Sequence, residues 1–145
     1  MAVLLAPFTI EHYANALALW QRTPGVGLSE ADSAVAIERF LARNPGLSRV
    51  ALIEGQLVGT ILIGHDGRRG LIHHLAVDQQ QRRQGVAGQL VRAGLAALRE
   101  QGIFKCHAFV YRDNQLGQAF WQAIGAEYRA TLAIYSLATD QELPE

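Results

Sequence analysis

Apolar residues along the chain alternate between a spacing of two, typical of strands, and a spacing of three to four, typical of helices. The shorter spacing and short apolar runs predict six strands, over residues 3–8, 49–54, 57–64, 71–77, 103–110 and 128–137. The longer spacing predicts four helices, which begin near Thr9, Ser29, Val86 and Leu116. The predicted order is therefore β-α-α-β-β-β-α-β-α-β.

Glycine, proline and Asx residues separate these elements. Asp66-Gly67 is a hairpin signal between two strands, so the three consecutive strands in the middle of the chain are predicted to form an antiparallel meander. The helix that begins at Val86 joins the fourth and fifth strands as in a βαβ unit, which makes these two strands parallel. We therefore expect one α+β (mixed α/β) domain over residues 1–145.

Composition narrows the class of protein. The chain has 145 residues, half of them hydrophobic, which suits one domain with a buried core. Thirteen basic and 13 acidic residues cancel, whereas a nucleic-acid binder usually has a basic excess. Cys106 is the only cysteine, which excludes an internal disulfide and a cysteine-based metal site. Because the sequence shows no signal peptide and no membrane span, we expect a cytoplasmic protein without membrane contact. The five histidines show neither an H-x-x-x-H pattern nor a carboxylate at metal-ligand spacing, so we expect no metal site.

One segment carries the strongest sign of chemistry. The apolar Leu75–Val77 ends a predicted strand, a polar basic loop follows, and a helix begins after Gly85. A helix N-terminus has about four N–H groups without partners and the positive end of the helix dipole. Arg82 and Arg83 add positive charge, and small residues around the helix start allow a bulky anion to approach. The segment predicts a phosphate or pyrophosphate cradle, although a solvated loop before an ordinary helix is the simpler alternative.

The segment Arg82-Arg-Gln-Gly-Val-Ala87 resembles the Q/R-x-x-G-x-G/A signature of the GNAT superfamily, the Gcn5-related N-acetyltransferases. The apolar Leu75-Ala-Val77 before it is similar to the family's fourth strand. The turn over residues 64–70 is similar to small bacterial members of the YpeA type. The order of strands and helices also resembles a GNAT domain along nearly the whole chain.

A second motif resembles the family with two departures. Asn114, followed by residues 119–126, is similar to the family's N-x-x-x-x-A-x-x-Y-x-x-x-G-F element. Trp121 stands where many members carry a tyrosine that protonates the CoA sulfur. Ala126 stands where the family has an aromatic residue, a packing difference without evident chemical meaning.

The resemblance implies a central, mostly antiparallel sheet flanked by helices, in which the parallel fourth and fifth strands splay apart and hold acetyl-CoA. It implies that amides of the fourth strand bind the pantetheine and acetyl group, and that amides of the basic loop bind the pyrophosphate. Asn114 is implied to bind the pantetheine arm, and Trp121 to pack on the cofactor. The implied cofactor-binding residues are Leu75, Ala76, Val77, Arg82, Arg83, Gln84, Gly85, Val86, Ala87, Gly88, Asn114 and Trp121.

Acetyl transfer needs a neutral amine, whereas a free alkyl amine has a pKa of about 10.4, so a base or a water relay is expected. His73 is the predicted base. Strict alternation places it with Leu71, Leu75 and Val77 and directs His74 to the opposite face. The His-x-Leu-Ala-Val context also resembles the strand of arylalkylamine-acetylating GNATs, in which a histidine relays protons. A strand histidine with only a local hydrogen bond is the alternative.

The proton donor for the leaving thiolate is less clearly marked. An indole cannot act as an acid at neutral pH, so Trp121 does not take over the role of the tyrosine. The role passes to Tyr111, to Cys106 or to water, or it is absent. We take Tyr111, together with His73, as the predicted catalytic residues.

The sequence thus predicts an acetyl-CoA-dependent N-acetyltransferase. It would acetylate a primary amine of a small molecule or peptide by direct attack in a ternary complex, and the resemblance is compatible with a homodimer. One alternative is a non-catalytic acyl-CoA sensor, favoured by Trp121 and by the lack of a carboxylate on the fourth strand. The other is an unrelated α+β domain whose loop binds a different phosphate ligand, such as a nucleotide.

Overall fold

The computed structural model describes residues 2–145. Within them, the strands are β1 (Leu4–Pro7), β2 (Arg49–Ile53), β3 (Gln56–His65), β4 (Gly70–Val77) and β5 (Cys106–Ala108). The α-helices are α1 (Tyr13–Gln21), α2 (Ala34–Arg43), α3 (Val86–Glu100) and α4 (Gln115–Ala123). These bounds lie close to the predicted ones for every element except the second helix, the fifth strand and the predicted sixth strand.

The five strands form one sheet in the order β1-β2-β3-β4-β5. Neighbouring strands are antiparallel except β4 and β5, which are parallel. The parallel ladder has only three residue pairs and ends at Ile72 and Ala108, although β4 continues to Val77. The predicted mixed fold with parallel, splayed fourth and fifth strands is therefore confirmed.

Each face of the sheet carries its own hydrophobic core. β3 shows why: Ile61 and Ile63 point to one face and Leu62 to the other, as the two-residue period of a strand requires. The first core is closed by α3, with Val86, Leu90, Val91 and Leu98. The second is closed by α1 and α2, with Ala16, Leu19, Trp20 and Ile37. β4 is thus held between two packed layers, which fixes the strand that borders the predicted site.

The start of the second helix differs from the prediction. Ser29 caps a short 3₁₀ turn, Glu30–Asp32, in which its hydroxyl accepts the Ala31 N–H at 3.1 Å. Ser33 then has extended backbone and caps α2, accepting the Ala36 N–H at 3.2 Å. The helix begins at Ala34 because two capping serines follow each other and the second interrupts helical geometry. The extra turn carries Asp32 toward β4.

A β-bulge interrupts β4. Thr60 faces Ala76 and Leu62 faces His73, so β4 has one residue more than β3 between these pairs, and His74 has a φ of +46°. The buried Thr60 hydroxyl donates to the His74 carbonyl at 2.8 Å and accepts the Trp20 indole N–H at 2.9 Å. These two hydrogen bonds stabilise the bulge and offset the backbone strain of the positive φ at His74.

The bulge overturns the predicted alternation along β4. Ile72 belongs to the α3 core, whereas Ala76, four residues on, belongs to the α1 and α2 core. His73 lies against the Phe40 ring and His74 against the Trp20 ring, so both histidines face α1 and α2. The prediction that His73 shares a face with Leu75 and Val77, and that His74 points away, is wrong because an extra residue reverses the parity of the strand.

The predicted strand over residues 128–137 is also wrong. In the described structure, residues 126–145 are exposed and form no strand ladder. β5 is shorter than the predicted 103–110, because β4 diverges from it after Ile72 and offers no further backbone partner. An alternating sequence predicts a strand only where a neighbour supplies hydrogen bonds. We call residues 126–139 the C-terminal arm.

Candidate active site

The loop before α3 is lined with unpaired hydrogen-bond donors. Gly85 is the N-cap of α3 and has a φ of +77°, which glycine adopts without strain. Among the described residues, the six backbone N–H groups from Arg83 to Gly88 donate to no protein acceptor. Because α3 is 15 residues long, its dipole reinforces these donors. A row of free donors at the start of a helix is the arrangement that an anion site requires.

Charge on this loop is predominantly positive. Arg82 and Arg83 are exposed and form no ion pair within the described part of the chain. The nearby Asp78 is engaged, since its carboxylate accepts the Gln80 N–H at 3.0 Å and the Arg22 guanidinium at 2.9 Å. These hydrogen bonds, the Gln80 one first, hold the pKa of Asp78 below its usual value. Its charge is therefore partly offset, and the two arginines remain available to an anion.

A cleft of about 560 Å³ opens beside this loop. Its walls come from the end of α1, the end of β4 and the first half of the loop, and consist of Leu19, Arg22, Thr23, Val77, Asp78, Gln79, Gln80 and Arg82. A side chain added at Gly85 would meet no atom within 4 Å, so the backbone there borders open space. The amides, the free arginines and the open cleft together fit the pyrophosphate of a coenzyme.

The wedge between β4 and β5 begins directly beyond Ile72. The Asp78 N–H donates to the Val58 carbonyl of β3, so by strand alternation the N–H groups of Leu75 and Val77 point to the opposite edge, toward the wedge. This is the orientation that the predicted amide contacts to pantetheine need. Ala76 is not brought to the wedge, since it pairs with Thr60 of β3 and its side chain is buried in the α1 and α2 core.

A second pocket, of about 300 Å³, adjoins the wedge on the α1 and α2 side of β4. Both β4 histidines and Asp32 line it, together with Gly27, Ser29, Ala31, Ile37, Phe40 and Leu62. His73 also lies 6.5 Å from Phe109, measured between ring centroids, just past the end of β5. The pocket therefore combines an apolar floor with two imidazoles and one carboxylate next to the wedge.

Asp32 and His74 form the most buried contact between a carboxylate and an imidazole in the described chain. His74 Nε2 lies 2.6 Å from Asp32 Oδ1, and the two side chains are 14% and 13% exposed. Asp32 Oδ2 accepts the Ser29 N–H at 3.0 Å, and the Asp32 carbonyl accepts the Tyr13 hydroxyl at 2.6 Å. The pair thus connects the 3₁₀ turn to the bulge of β4 and fixes the width of the pocket.

The His73 imidazole makes no hydrogen bond to another described residue, so both ring nitrogens are available to a ligand or water. Burial lowers its pKa below the usual imidazole value, and the neighbouring charge of His74 lowers it further, while Asp32 opposes the shift. His73 is therefore mostly neutral near pH 7, the form that can accept a proton.

The four remaining candidates differ in their exposure and in their contacts. Tyr111 is exposed, and its hydroxyl lies so close to Gly27 that a Cβ at this glycine would collide with it. Asn114 Oδ1 accepts the Gly117 N–H at 3.0 Å and caps α4, so this oxygen is already engaged. Trp121 packs against the α3 core beside Phe120. Burial raises the pKa of the Cys106 thiol, which keeps it protonated near neutral pH.

Two residues of the pocket escaped the sequence analysis. The sequence gives no functional signal for Asp32, and strict alternation predicts the wrong face for His74. The residues next to His74 in the sequence do not reveal its orientation, because the bulge is stabilised by Thr60 and Trp20, which are 14 and 54 residues away from His74. Only the repetition of histidine at 73 and 74 marked this part of the strand.

Comparison with known proteins settles the family. The model of the acetyltransferase (GNAT) family matches residues 13–126. This chain is a GNAT acetyltransferase. It is 35% identical over 111 residues to the protein named acetyltransferase plu1384 of Photorhabdus laumondii, with 74% of each chain covered.

Solved structures agree with this assignment. The chain resembles Ard1 of Thermoplasma volcanium with a TM-score of 0.75 and 25% identity, over 86% of this chain and 82% of that one. It resembles the PaiA N-acetyltransferase of Thermoplasma acidophilum, solved with coenzyme A, with a TM-score of 0.74 and 17% identity, over 86% and 89%. The predicted family, the assignment as an N-acetyltransferase and the cosubstrate acetyl-CoA are confirmed, and the alternative of an unrelated phosphate-binding domain is excluded.

No helix in residues 2–145 combines the length and the apolar character that crossing a membrane requires.

Proposed function

We propose that this GNAT acetyltransferase transfers the acetyl group of acetyl-CoA to a primary amine seated in the pocket lined by Asp32, His73 and His74, by direct attack in a ternary complex. The observation that carries the proposal is the adjacency of this pocket to the wedge, with the row of free amides from Arg83 to Gly88 at the wedge's other end. An anion site and an amine site therefore lie on opposite sides of the end of β4. This arrangement would hold the acetyl donor and the acceptor amine close together, as a direct transfer between two bound substrates requires.

The donor loop is proposed to hold the pyrophosphate through the amides of residues 83–88 and the charges of Arg82 and Arg83. Leu75 and Val77 are proposed to donate backbone N–H groups to the pantetheine and acyl oxygens, which stabilises negative charge that develops there. Asn114 offers its free amide nitrogen to the pantetheine arm, since its oxygen caps α4. When bound, acetyl-CoA supplies an activated acetyl thioester.

We propose His73 as the group that accepts the proton lost by the attacking amine, directly or through one water. Its buried ring is mostly neutral near pH 7 and lies beside the wedge. Asp32 and His74 act as positioning residues, because the contact between them holds the wall of the pocket that His73 also lines. The N–C bond forms as the C–S bond breaks, and the amine proton leaves through His73.

Tyr111 is the proposed proton donor for the departing sulfur. The Tyr13 hydroxyl is occupied by the Asp32 carbonyl, and Tyr128 and Tyr135 lie on the exposed C-terminal arm. Tyr111 lies beside Gly27 at the rim of the pocket, past the end of β5, and its hydroxyl donates to no other described residue. Its position therefore suits proton transfer at the mouth of the wedge.

The volume and lining of the pocket also limit the size of the acceptor amine. A volume of about 300 Å³ with an apolar floor suits a small amine, an amino acid or the end of a peptide. One structural neighbour, AAC(6')-Iy, was solved with a CoA–acetylneamine bisubstrate analogue; it has a TM-score of 0.75 and 18% identity over 95% of this chain and 99% of that one. We infer the same chemical class, a primary amine, for this chain, without inferring an aminoglycoside.

Calorimetry with acetyl-CoA, CoA and ATP tests the donor half of the proposal. We expect micromolar binding of both CoA compounds and at least tenfold weaker binding of ATP, whose phosphates lack the pantetheine that the wedge accepts. Equal binding of ATP would contradict the assignment of the wedge. Binding of acetyl-CoA without turnover of any amine would instead favour a non-catalytic sensor.

A further inference from the structure

The charged side chains that line the second pocket are of one kind. Asp32 is the one carboxylate in the lining, and among the described residues no arginine or lysine lines it. His74 lies 2.6 Å from that carboxylate, so a proton gained by His74 is balanced by Asp32. Burial lowers the pKa of His73, so this ring brings little positive charge near pH 7. The pocket therefore offers an anion no uncompensated positive charge.

Backbone donors of the 3₁₀ turn in the pocket wall are already engaged. The Ser29 N–H donates to Asp32 Oδ2 at 3.0 Å, and the Ala31 N–H donates to the Ser29 hydroxyl at 3.1 Å. The Asp32 N–H donates to the Ser29 carbonyl at 3.0 Å. A carboxylate that has no cation beside it needs several free N–H groups, as at a helix N-terminus. These three N–H groups of the turn are not free to bind one.

The rest of the pocket lining is largely apolar. Ile37 and Leu62 are buried, and the Phe40 ring packs edge-on against His73 with 6.0 Å between ring centroids. An unpaired charge is strongly disfavoured beside such side chains. Because a space of about 300 Å³ is roughly 8 Å across, a second carboxylate would also lie within the range of the Asp32 charge. The lining therefore suits a hydrocarbon body with one cationic end.

We propose that the acceptor is a primary amine on an apolar body that carries no carboxylate or phosphate, and that Asp32 is the residue that selects it against free amino acids. This inference rests on the proposed function, since it takes the pocket lined by Asp32, His73 and His74 as the acceptor site. The Asp32 carboxylate attracts the ammonium form of the acceptor and repels a carboxylate attached beside the amine. A free amino acid would lose its carboxylate hydration in the pocket without gaining a cationic partner.

Acetylation of 3-methylbutylamine, leucinamide and leucine by the full chain tests this selection, because the three compounds share one apolar side chain. Leucinamide has the bulk of leucine without its charge. Values of kcat/KM are expressed per neutral amine, since the pKa values of the three amines differ. We expect leucinamide to lie within about tenfold of 3-methylbutylamine, and leucine to lie about 100-fold or more below both. Leucine as fast as leucinamide, or leucinamide as slow as leucine, would overturn the selection by charge alone. Acetylation of none of the three would contradict the proposed function as well.

A cation added to the pocket lining tests the same selection without disturbing Asp32. Ala31 lines the pocket and is exposed, so Ala31→Arg places a guanidinium there. We expect the ratio of kcat/KM for leucine to that for 3-methylbutylamine to rise about tenfold or more. Val35→Arg on α2 is the matched control, because Val35 is 66% exposed and lies outside the lining. Its ratio should stay within about twofold of the wild type, since solvent screens an exposed charge. An unchanged ratio in Ala31→Arg, or an equal rise in both variants, would overturn the proposal.

Discussion

His74 Nε2 and Asp32 Oδ1 lie 2.6 Å apart, and this pair joins a bulge in the sheet to a 3₁₀ turn that sequence analysis had assigned to a helix. Both partners are more than four-fifths buried. Breaking a buried charge-assisted bond is costly because the remaining partner loses a compensating group. The pocket wall therefore depends on this contact.

The strength of the Asp32–His74 contact is measurable by a double-mutant cycle with Asp32→Asn and His74→Gln. We expect a coupling free energy of about 1–3 kcal/mol from denaturant unfolding near pH 6. The Asp66–Arg68 pair is the control: its side chains are 57% and 79% exposed, so Arg68→Ala should cost less than about 1 kcal/mol. A coupling below about 0.3 kcal/mol for the buried pair would contradict its structural role.

The proposed base predicts a particular pH dependence. His73 must be neutral to accept a proton, and burial lowers its pKa, so the neutral form persists below the ordinary imidazole value near 6.5. We expect kcat/KM, expressed per neutral acceptor amine, to fall on acidification with a midpoint below pH 6.5. His73→Asn should lower kcat/KM about 100-fold and remove this limb. His65→Asn, in the turn between β3 and β4, should leave the profile unchanged; an unchanged profile in the His73 variant would exclude the role.

Gly85 and Gly55 provide a matched test of the anion loop. Both have a φ near +78° and open space around the position of a Cβ, so a glutamate causes similar backbone strain at either site. Only Gly85 borders the free amides. We expect Gly85→Glu to weaken CoA binding at least 100-fold in calorimetry, whereas Gly55→Glu, in the turn between β2 and β3, leaves the dissociation constant within about twofold. Similar affinity in both variants would refute the cradle.

Substitutions of Tyr111 and Trp121 test which of them affects the protonation of the departing sulfur. Tyr111→Phe removes only the hydroxyl, and we expect kcat to fall on the order of 100-fold with little change in the KM for acetyl-CoA. Trp121→Tyr should change kcat by less than about threefold, because Trp121 packs against the α3 core rather than facing the pocket. Steady-state kinetics of both variants decides the matter. An unchanged kcat in the Tyr111→Phe variant would exclude Tyr111 as the proton donor.

The fold was predictable where local pattern and tertiary packing agree. The meander, the crossover through α3 and the glycine-capped loop each follow from residues close together in sequence. The bulge in β4 did not, because a strained His74 is held by Thr60 and Trp20 from other elements. The arm was mispredicted for the opposite reason: its alternating residues suit a strand, but the strand partner is missing from the described single chain.

The candidate site likewise has one part that the sequence predicts and one part that it does not. The donor loop is encoded in one continuous segment, so its residues were identified together. The acceptor pocket is assembled from the 3₁₀ turn, α2 and β4, and one extra residue in β4 brings both histidines to the same face of the strand, where they line the pocket. Alternation arguments fail at such a position, because a single inserted residue exchanges the two faces of a strand.

The most direct test of the account is acetyl transfer itself, measured by mass spectrometry of a panel of small amines, amino acids and peptides incubated with acetyl-CoA and the full chain. The account predicts that at least one primary amine gains an acetyl group with the wild type and the Gly55→Glu variant, and that the product is lost with Gly85→Glu. Tight binding of acetyl-CoA with no acetylated amine in any class, or product formation unaffected by Gly85→Glu, would contradict it.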